Sequence, residues 1–418
     1  MHIEKEVGAR FLVMMPMGIG DAVAVGLSTI DQIIKNDPEA DGEIDVVCND
    51  VQADIFRHDP RINSIICIDS SIFPTPDIRT WIKGIVLEPE AVKLREVLRS
   101  RRYEGVFPGN STPFFYRRLQ APIMQMNLLK LFRDFLSLRS HMNRPISQIT
   151  RQIVNAYFGN RLPEPTFDEE IPLYITTHHI QKARAVIEGI KEQAHVSGNH
   201  CRLVMVAPDT SSIVTRPPTD LLARGIVGAL CRKHHLAIYI LPGYTDSNTA
   251  GNLYEALSPD FSGRIFMMSH ELRPSLLETT ALIDQADVFI TGDTGAMHVA
   301  VTTRKLMRGE DGRCSPRNAR KTIALFGGTN PGLHGYSKQT LILGRGRKEQ
   351  AALAPGIFKE AYYGKQRNFF DHISPQQLTN AIISQLEEEE AMSLWAMSRP
   401  SRSITLLAAL ARTLLWAD

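Results

Sequence analysis

Two short segments of this sequence place glycine and a carboxylate where an apolar run gives way to a helical pattern. In the first, GIGD, residues Gly18, Gly20 and Asp21 follow FLVMM closely. Glycine permits a tight turn and a close backbone approach, and an ionised aspartate can act as a general base on a hydroxyl. Asp21 can equally cap its helix by accepting a backbone N–H. A dinucleotide site is disfavoured, because the third glycine is missing and Asp21 would repel a pyrophosphate.

The second segment, GDTGAMH, follows the apolar run DVFIT and contains Asp293, Thr294, Gly295 and His298. A turn of this kind exposes backbone N–H groups and a threonine hydroxyl at a helix start, which suits a diphosphate. Gly295 lets an oxygen approach the backbone, and Asp293 suits sugar hydroxyls better than phosphate because of its charge. His298 either contacts the ligand or packs the helix against the sheet, and Asp293 is either a ligand or a cap.

Two further segments have the composition of ligand-binding turns. ALFGGTNPG runs from a strand into glycines, so that Thr329 and its neighbouring N–H groups would close over a ligand; a plain strand-to-loop connection explains it nearly as well. APDTSSIVTRPP ends a strand with hydroxyls, including Ser211 and Ser212, and continues to Arg216. Arg216 is either a cation that neutralises a departing diphosphate or a surface charge.

The elements that must position these residues follow an alternating pattern of strands and helices. Short β-branched runs predict strands at 10–15, 43–48, 64–68, 104–107, 202–207, 237–241, 264–268, 288–291 and 322–326. Amphipathic stretches between them predict crossover helices, and therefore parallel sheets. A linker at 162–172 divides the series into two sheets in tandem with a cleft between them. The predicted units are 1–170, 171–374 and a C-terminal helical segment at 375–418.

Composition narrows the class of protein. A chain of 418 residues is long enough for two domains, and a formal net charge of +2 is too balanced for a dedicated nucleic-acid binder. The five cysteines are scattered without metal or redox spacing, which favours a reducing cytoplasm. The charged N-terminus lacks the layout of a secretory signal, and no apolar run approaches the roughly 20 residues of a membrane-spanning helix.

Taken together, the segments GIGDAV, DVVCNDVQADIFRHDPRINSIICID, APDTSS, ITGDTGAMHVA, TIALFGGTNP and ISPQQLTNAI resemble glycosyltransferase family 9, the ADP-heptose:lipopolysaccharide heptosyltransferases. The resemblance covers most of residues 10–388 in the expected order. It implies a GT-B fold of the α/β class, with two facing Rossmann-like domains, the acceptor side first. It also implies that Asp21 is the catalytic base and that Asp293, Thr294, Gly295 and His298 contact the nucleotide sugar.

The implied reaction is an inverting displacement from a nucleotide diphosphate sugar, without metal or cofactor, onto a glycan or glycolipid acceptor. The sequence departs from the family in two places. Thr215-Arg216-Pro217-Pro218 stands where members usually have a lysine before a Trp-Pro pair. Residues 304–321 are an insertion that is either a mobile flap, an anionic acceptor site or a solvated loop, and the solvated loop is slightly favoured. Two alternatives stay open: a nucleotide-sugar epimerase of the same fold, and a catalytically silent sugar-nucleotide binding protein.

Two segments bear on membrane contact. The C-terminal stretch 403–417 is apolar almost all round but too short to span a bilayer, and FFYRRLQ at 114–120 combines basic and aromatic residues. Either segment could meet anionic lipid head groups, or pack within the protein. The expected location is the cytoplasm, with peripheral contact at the inner face of the membrane as one option.

Overall fold

The structure is a computed structural model. It describes residues 10–15, 18–68, 101, 103–108, 145–166, 170–194, 196, 201–210, 214–243, 248–268, 274–306, 322–329, 331–336, 340–344 and 369–397.

The first sheet has four parallel strands in the order β3-β2-β1-β4. Its strands are β1 (Phe11–Met15), β2 (Ile44–Cys48), β3 (Ile62–Cys67) and β4 (Gly105–Pro108). Its helices are α1 (Ile19–Asp21), a π-helix (Ala22–Leu27), α2 (Ser28–Asn36), a short 3-10 helix (Pro38–Ala40), α3 (Asp50–Phe56) and α4 (Ile146–Tyr157). Every residue of β1 and β2 is buried, as expected of parallel strands covered on both faces.

The second sheet has six parallel strands in the order β12-β11-β9-β6-β7-β8. Its strands are β6 (Arg202–Ala207), β7 (Leu236–Ile240), β8 (Ile265–Met267), β9 (Val288–Gly292), β11 (Thr322–Leu325) and β12 (Thr340–Leu343). A separate parallel pair joins β5 (Pro172–Ile175) to β10 (Thr303–Leu306). The α/β class predicted from the sequence is therefore confirmed.

Helices cover both faces of the second sheet. They are α5 (Thr177–Gln193), α6 (Thr219–Arg232), α7 (Thr249–Leu257), α8 (Leu276–Gln285), α9 (Gly295–Ala300), α10 (Pro331–His334) and α11 (Pro375–Met397). One apolar core lies under α6, α7 and α11, and another lies under α5 and α8. A third core joins the first sheet to Met297, Val299 and Phe326, so elements of both sheets meet there.

Helix α11 packs against α6 through a close backbone approach. Leu378 lies where a Cβ atom on Gly225 would stand, and the Thr379 hydroxyl donates to the Gly225 carbonyl at 2.8 Å. Leu378, Ile382 and Leu386 are fully buried in the core under α6. The unit boundaries at 170 and 374 stay a prediction, and the apolar stretch 403–417 lies outside the described residues.

Each predicted strand is present within two residues of its expected bounds. The sequence missed β5, β10 and β12, and the expectation of a solvated loop beginning at Arg304 is wrong at its start. Residues 304–306 belong to β10, where Arg304 is buried and its Nε donates to Asp284 Oδ2 at 2.8 Å. A paired, buried arginine looks like a surface charge in sequence. Residues 307–321 and 114–120 lie outside the described residues.

None of the helices in the described ranges combines the length and apolarity that crossing a bilayer requires.

Candidate active site

The first candidate turn connects β1 to a helix that begins at Ile19. Gly18 is the N-cap residue in an extended conformation, and its N–H donates to Asp21 Oδ2 at 3.3 Å. The capping role considered for Asp21 is therefore present. A π-helix follows at once, from Ala22 to Leu27. π-helical segments are uncommon in proteins and occur frequently at functional sites. Every residue of this segment is buried, whereas Asp21, which precedes it, is half-exposed.

The second candidate turn connects β9 to α9. Thr294 is the N-cap residue in an extended conformation, and its hydroxyl lies 3.1 Å from the Thr291 hydroxyl. Asp293 precedes the cap and is only 9% exposed. His298, one turn into α9, is buried, and its Nε2 lies 3.6 Å from Asp293 Oδ1. His298 thus packs in the interior and also borders the site.

The two turns are in direct contact with each other. A Cβ atom at Gly20 would lie 2.7 Å from His298 Cδ2, and a Cβ atom at Gly295 would lie 2.7 Å from Ile19 Cβ. Both distances are shorter than side-chain carbons adopt, so only glycine fits at either position. The glycines that the sequence marked as turn residues are therefore also contact residues between α1 and α9.

A cavity of about 360 Å³ lies at this contact. Gly18, Gly20 and Asp21 line it from the first turn, and Asp293, Thr294, Gly295 and His298 line it from the second. It opens at the carboxyl ends of β1, β6, β7 and β9, where ligands of open parallel sheets bind. Its size falls within the usual range of small-molecule sites, about 300 to 1,000 Å³.

Tyr336 belongs to this region, although the sequence did not indicate it. Its hydroxyl lies 2.8 Å from His298 Nδ1, and its side chain is buried. Burial raises the pKa of Tyr336 far above its usual range, and the Asp293 and Asp21 carboxylates raise it further. The phenol therefore stays protonated and holds the imidazole ring in place. A tyrosine four residues after Gly332 resembles an ordinary core residue, so no motif could have marked it.

Asp209 is a second residue that sequence reasoning missed. It follows the end of β6 at Ala207 by two residues and lines the cavity, and its Oδ2 accepts from Gly243 N at 2.8 Å. Its Oδ1 accepts from Thr249 N at 3.0 Å and Ala250 N at 3.3 Å, at the start of α7. The carboxylate thus caps α7 from the segment after β6 and fixes the loop after β7. An aspartate shortly after an apolar strand was the available signal, and it stands beside the hydroxyl residues that were predicted to bind a ligand.

Two predicted residues, Arg216 and Thr329, do not line the cavity, and two others fall outside the part of the chain that the structure describes. Ser211 and Ser212 lie outside the described residues. Arg216 does not line the cavity; its Nη2 donates to the Thr210 carbonyl at 2.8 Å, and Thr210 itself is a lining residue. Thr329 also lies away from the lining, in a segment where Gly328 N donates to the Val214 carbonyl at 2.8 Å. The roles proposed for these residues stay predictions.

Within the described ranges, no three His, Cys, Asp or Glu side chains are grouped to hold a metal ion. The expectation that catalysis needs no metal or cofactor stays a prediction.

Comparisons with known proteins define the fold. No protein-family model and no curated protein matches the sequence. Among solved structures, ADP-heptose lipopolysaccharide heptosyltransferase II of E. coli matches with a TM-score of 0.58 at 17% identity, covering 91% of this chain and 99% of that one. A family 9 glycosyltransferase of Veillonella parvula matches with a TM-score of 0.57 at 16% identity, covering 93% and 100%. The E. coli heptosyltransferase WaaC with ADP gives 0.51 at 16% identity, covering 84% and 99%. The chain therefore has the fold of the family 9 heptosyltransferases, as the sequence motifs predicted.

Proposed function

We propose that this chain is an inverting glycosyltransferase of the GT-B type that moves a heptose from an ADP-activated donor onto a lipopolysaccharide-type or other bacterial glycan. In this proposal the two sheets belong to two facing Rossmann-like domains, and the cavity is part of the cleft between them. The observation that carries the proposal is that the Asp21 turn and the Asp293–His298 turn line the same cavity. A base and a donor site must share one space for transfer to occur.

The proposed chemistry is a displacement at the anomeric carbon. The acceptor hydroxyl attacks on the face opposite the diphosphate, so the configuration inverts. The new C–O bond forms as the bond from the anomeric carbon to the diphosphate oxygen breaks, and the nucleoside diphosphate leaves with that electron pair. The acceptor O–H bond also breaks, and the Asp21 carboxylate takes the proton. Asp21 suits this task because it faces the cavity and its helix start holds it. Its negative charge also stabilises the positive charge that develops on the sugar ring.

The proposed donor site is built on the second turn. Thr294 and the Gly295 N–H would hold the diphosphate as negative charge develops on it, and Asp293 would accept from sugar hydroxyls. His298 would donate from Nε2, because Tyr336 occupies its Nδ1 side. Arg216 lies one hydrogen bond from the cavity wall, where its charge would favour the leaving diphosphate. An ADP donor is supported by the fold neighbours, one of which is an ADP-heptose enzyme and another of which was solved with ADP.

The proposed acceptor is a hydroxyl group of a glycan or glycolipid, which the enzyme binds at the cytoplasmic side of the membrane. Peripheral contact with the membrane, through 114–120 or 403–417, belongs to this proposal. Both segments lie outside the described residues, so their composition is its support.

The test of the donor site is thermal unfolding of the wild type and Asp293→Ala in a panel of sugar nucleotides. A donor at 100 times its Kd stabilises the folded state by about 2.7 kcal/mol, which raises the melting temperature by several degrees. We expect one ADP-sugar to stabilise the wild type and not Asp293→Ala.

Asp260→Ala is the matched control, because Asp260 is exposed and lies in the loop that precedes β8, at the opposite end of the second sheet from the cavity. It should respond to the same ADP-sugar as the wild type does. If no sugar nucleotide stabilises the wild type, the chain has no donor site. If Asp293→Ala is stabilised as strongly as the wild type, the donor binds elsewhere.

A further inference from the structure

Gln52, on α3, joins the candidate catalytic turn to a neighbouring strand–helix unit. Its side chain is fully buried, and its Nε2 donates to the Gly18 carbonyl at 3.0 Å. Gly18 lies 34 residues away in the sequence, on the turn that carries Asp21. Buried side-chain amides in proteins have their donor and acceptor atoms satisfied by hydrogen bonds, and the Gly18 carbonyl is the acceptor that the Gln52 Nε2 uses.

The other end of Gln52 is fixed by its own helix. Gln52 Oε1 accepts from Asn49 N at 3.1 Å, while Gln52 N donates to Asn49 Oδ1 at 2.9 Å. This reciprocal pair is a capping box, and it completes the start of α3 without using Nε2. The Nε2 contact to Gly18 is therefore additional to what α3 requires for itself.

Gly18 transmits this constraint to Asp21. The Gly18 carbonyl accepts from Ala22 N at 3.1 Å as well as from Gln52, so both of its lone pairs are occupied. The Gly18 N–H donates to Asp21 Oδ2. Every polar atom of Gly18 is thus used to link α3, the start of the π-helix and the Asp21 carboxylate. Without the Gln52 contact, the Gly18 carbonyl would keep only its hydrogen bond from Ala22 N, and α3 would no longer hold the Gly18 turn in place.

We infer that Gln52 is a positioning residue, which holds the Gly18 turn so that the Asp21 carboxylate faces the acceptor hydroxyl. This inference rests on the proposed glycosyl transfer, because it concerns the geometry of the base. Gln52 touches neither donor nor acceptor in this account. Gln52 acts through Gly18, so its loss should lower kcat and leave the donor KM within about twofold of the wild-type value. The fall in kcat can reach about 100-fold, because a misplacement of about 1 Å at the base lowers turnover by up to that factor.

The primary experiment compares wild type, Gln52→Ala and Gln52→Glu. Hydrogen–deuterium exchange of the peptides that cover 16–24 reports the turn directly, without any need for turnover. Steady-state kcat and KM for the donor report its consequence for transfer. Asn155→Ala and Asn155→Asp are matched controls, because Asn155 is also a buried amide, which donates to the Leu162 carbonyl at 2.8 Å and accepts from Leu162 N at 3.2 Å.

Gln52→Glu adds a test by pH. The glutamate carboxyl has nearly the same shape as the amide that it replaces. In its ionised form it would repel the Gly18 carbonyl oxygen, and in its protonated form it can donate a hydrogen bond to that oxygen. Burial raises the pKa of such a carboxyl. We therefore expect kcat of Gln52→Glu, relative to the wild type at the same pH, to recover at least tenfold as pH falls from 8 to 5.5. Gln52→Ala and Asn155→Asp should show no such recovery.

The outcomes separate this inference from the proposed function. Faster exchange confined to 16–24 in Gln52→Ala, with melting temperatures like those of the Asn155 variants, supports the positioning role. It does so even if the wild type shows no transfer, because a lack of transfer would overturn only the proposed function. Unchanged exchange in Gln52→Ala overturns the positioning role. Wild-type transfer with unchanged kcat in both Gln52 variants also overturns it, and leaves the proposed function intact.

Discussion

The turn after β1 and the turn after β9 share one plan, a buried parallel strand followed by glycine, aspartate and a helix start, but they hold their carboxylates differently. Asp21 lies inside the first helical turn and accepts from Gly18 N. Asp293 lies before its helix, nearly buried, with His298 Nε2 at 3.6 Å. The position of the carboxylate relative to the helix start therefore differs between the two turns. In the proposed function the first turn holds the base, and the second turn leaves its helix start open to the donor.

The strongest test of this difference is Asp21→Asn. The amide oxygen can still accept from Gly18 N, so the turn should keep its shape while the base is lost. We expect kcat to fall by about 10³-fold, within the range of general-base effects. The Kd of the donor should stay within about twofold of the wild-type value, because the proposed donor site lies on the other turn. Steady-state kinetics and calorimetric titration measure the two quantities.

Asp50→Asn provides the control, since Asp50 is exposed on the first turn of α3. It should leave kcat unchanged. A kcat of Asp21→Asn within threefold of the wild type would remove Asp21 from the mechanism.

The contact between the turns is tested by Gly295→Ala. The added Cβ would lie 2.7 Å from Ile19 Cβ and 3.4 Å from Gly20 N, so one turn must move away from the other. Overpacking of this kind destabilises by about 1 to 3 kcal/mol. We expect a lower free energy of unfolding in urea and weaker donor binding, since Gly295 lines the cavity.

Gly189→Ala is the opposite case. Gly189 lies within α5, and a Cβ there meets nothing within 4 Å. Alanine at this position should stabilise by about 0.5 to 1 kcal/mol. Equal effects at the two glycines would mean that the two turns do not meet as described.

A smaller effect is expected for Tyr336→Phe, which removes only the hydroxyl that lies 2.8 Å from His298 Nδ1. A hydrogen bond of about 1 kcal/mol corresponds to about a fivefold loss of kcat/KM. Tyr239 is also a buried tyrosine, on β7 of the second sheet, and Tyr239→Phe should leave kcat/KM unchanged. A Tyr336→Phe enzyme with wild-type kcat/KM would show that His298 needs no such partner.

Alkaline stability gives a second readout of Tyr336. Burial raises its pKa, so the folded state binds the proton more tightly than the unfolded state, whose tyrosine titrates near pH 10. The free energy of unfolding therefore falls as pH rises above about 10, by up to about 1.4 kcal/mol per pH unit for one group. Urea unfolding at pH 9 and 10.5 should show a shallower fall in Tyr336→Phe than in the wild type. An identical fall would contradict the burial of the phenol.

Strand positions were predictable because parallel strands buried on both faces are short, continuous apolar runs, as in FLVMM and VFITG. Of the strands that escaped prediction, β10, with the sequence TRKL, lacks this signature. In β10 the buried Arg304 is satisfied by Asp284, and such pairing is invisible until distant residues are brought together. The two glycine–aspartate turns were predictable for the same local reason, since glycine and aspartate mark a turn at a strand end.

The residues that complete the candidate site could not be found from local patterns. Gln52 reaches Gly18 across 34 residues, and Tyr336 reaches His298 across 38. Neither Gln52 nor Tyr336 stands out in the sequence. Each becomes important only because the fold brings it to Gly18 or His298. Arg216 and Thr329 have residue types that suit a diphosphate but do not line this cavity, and the roles expected of them stay predictions.

The most direct test of the central claim is the anomeric configuration of a transfer product. The wild type would be incubated with ADP-heptose and a lipopolysaccharide core acceptor, and the new linkage examined by NMR, with Asp21→Asn in parallel. The account predicts a single product with the configuration opposite to that of the donor, absent or strongly reduced with Asp21→Asn. A product that retains the donor configuration, or equal product from both proteins, would contradict an inverting transfer with Asp21 as the base.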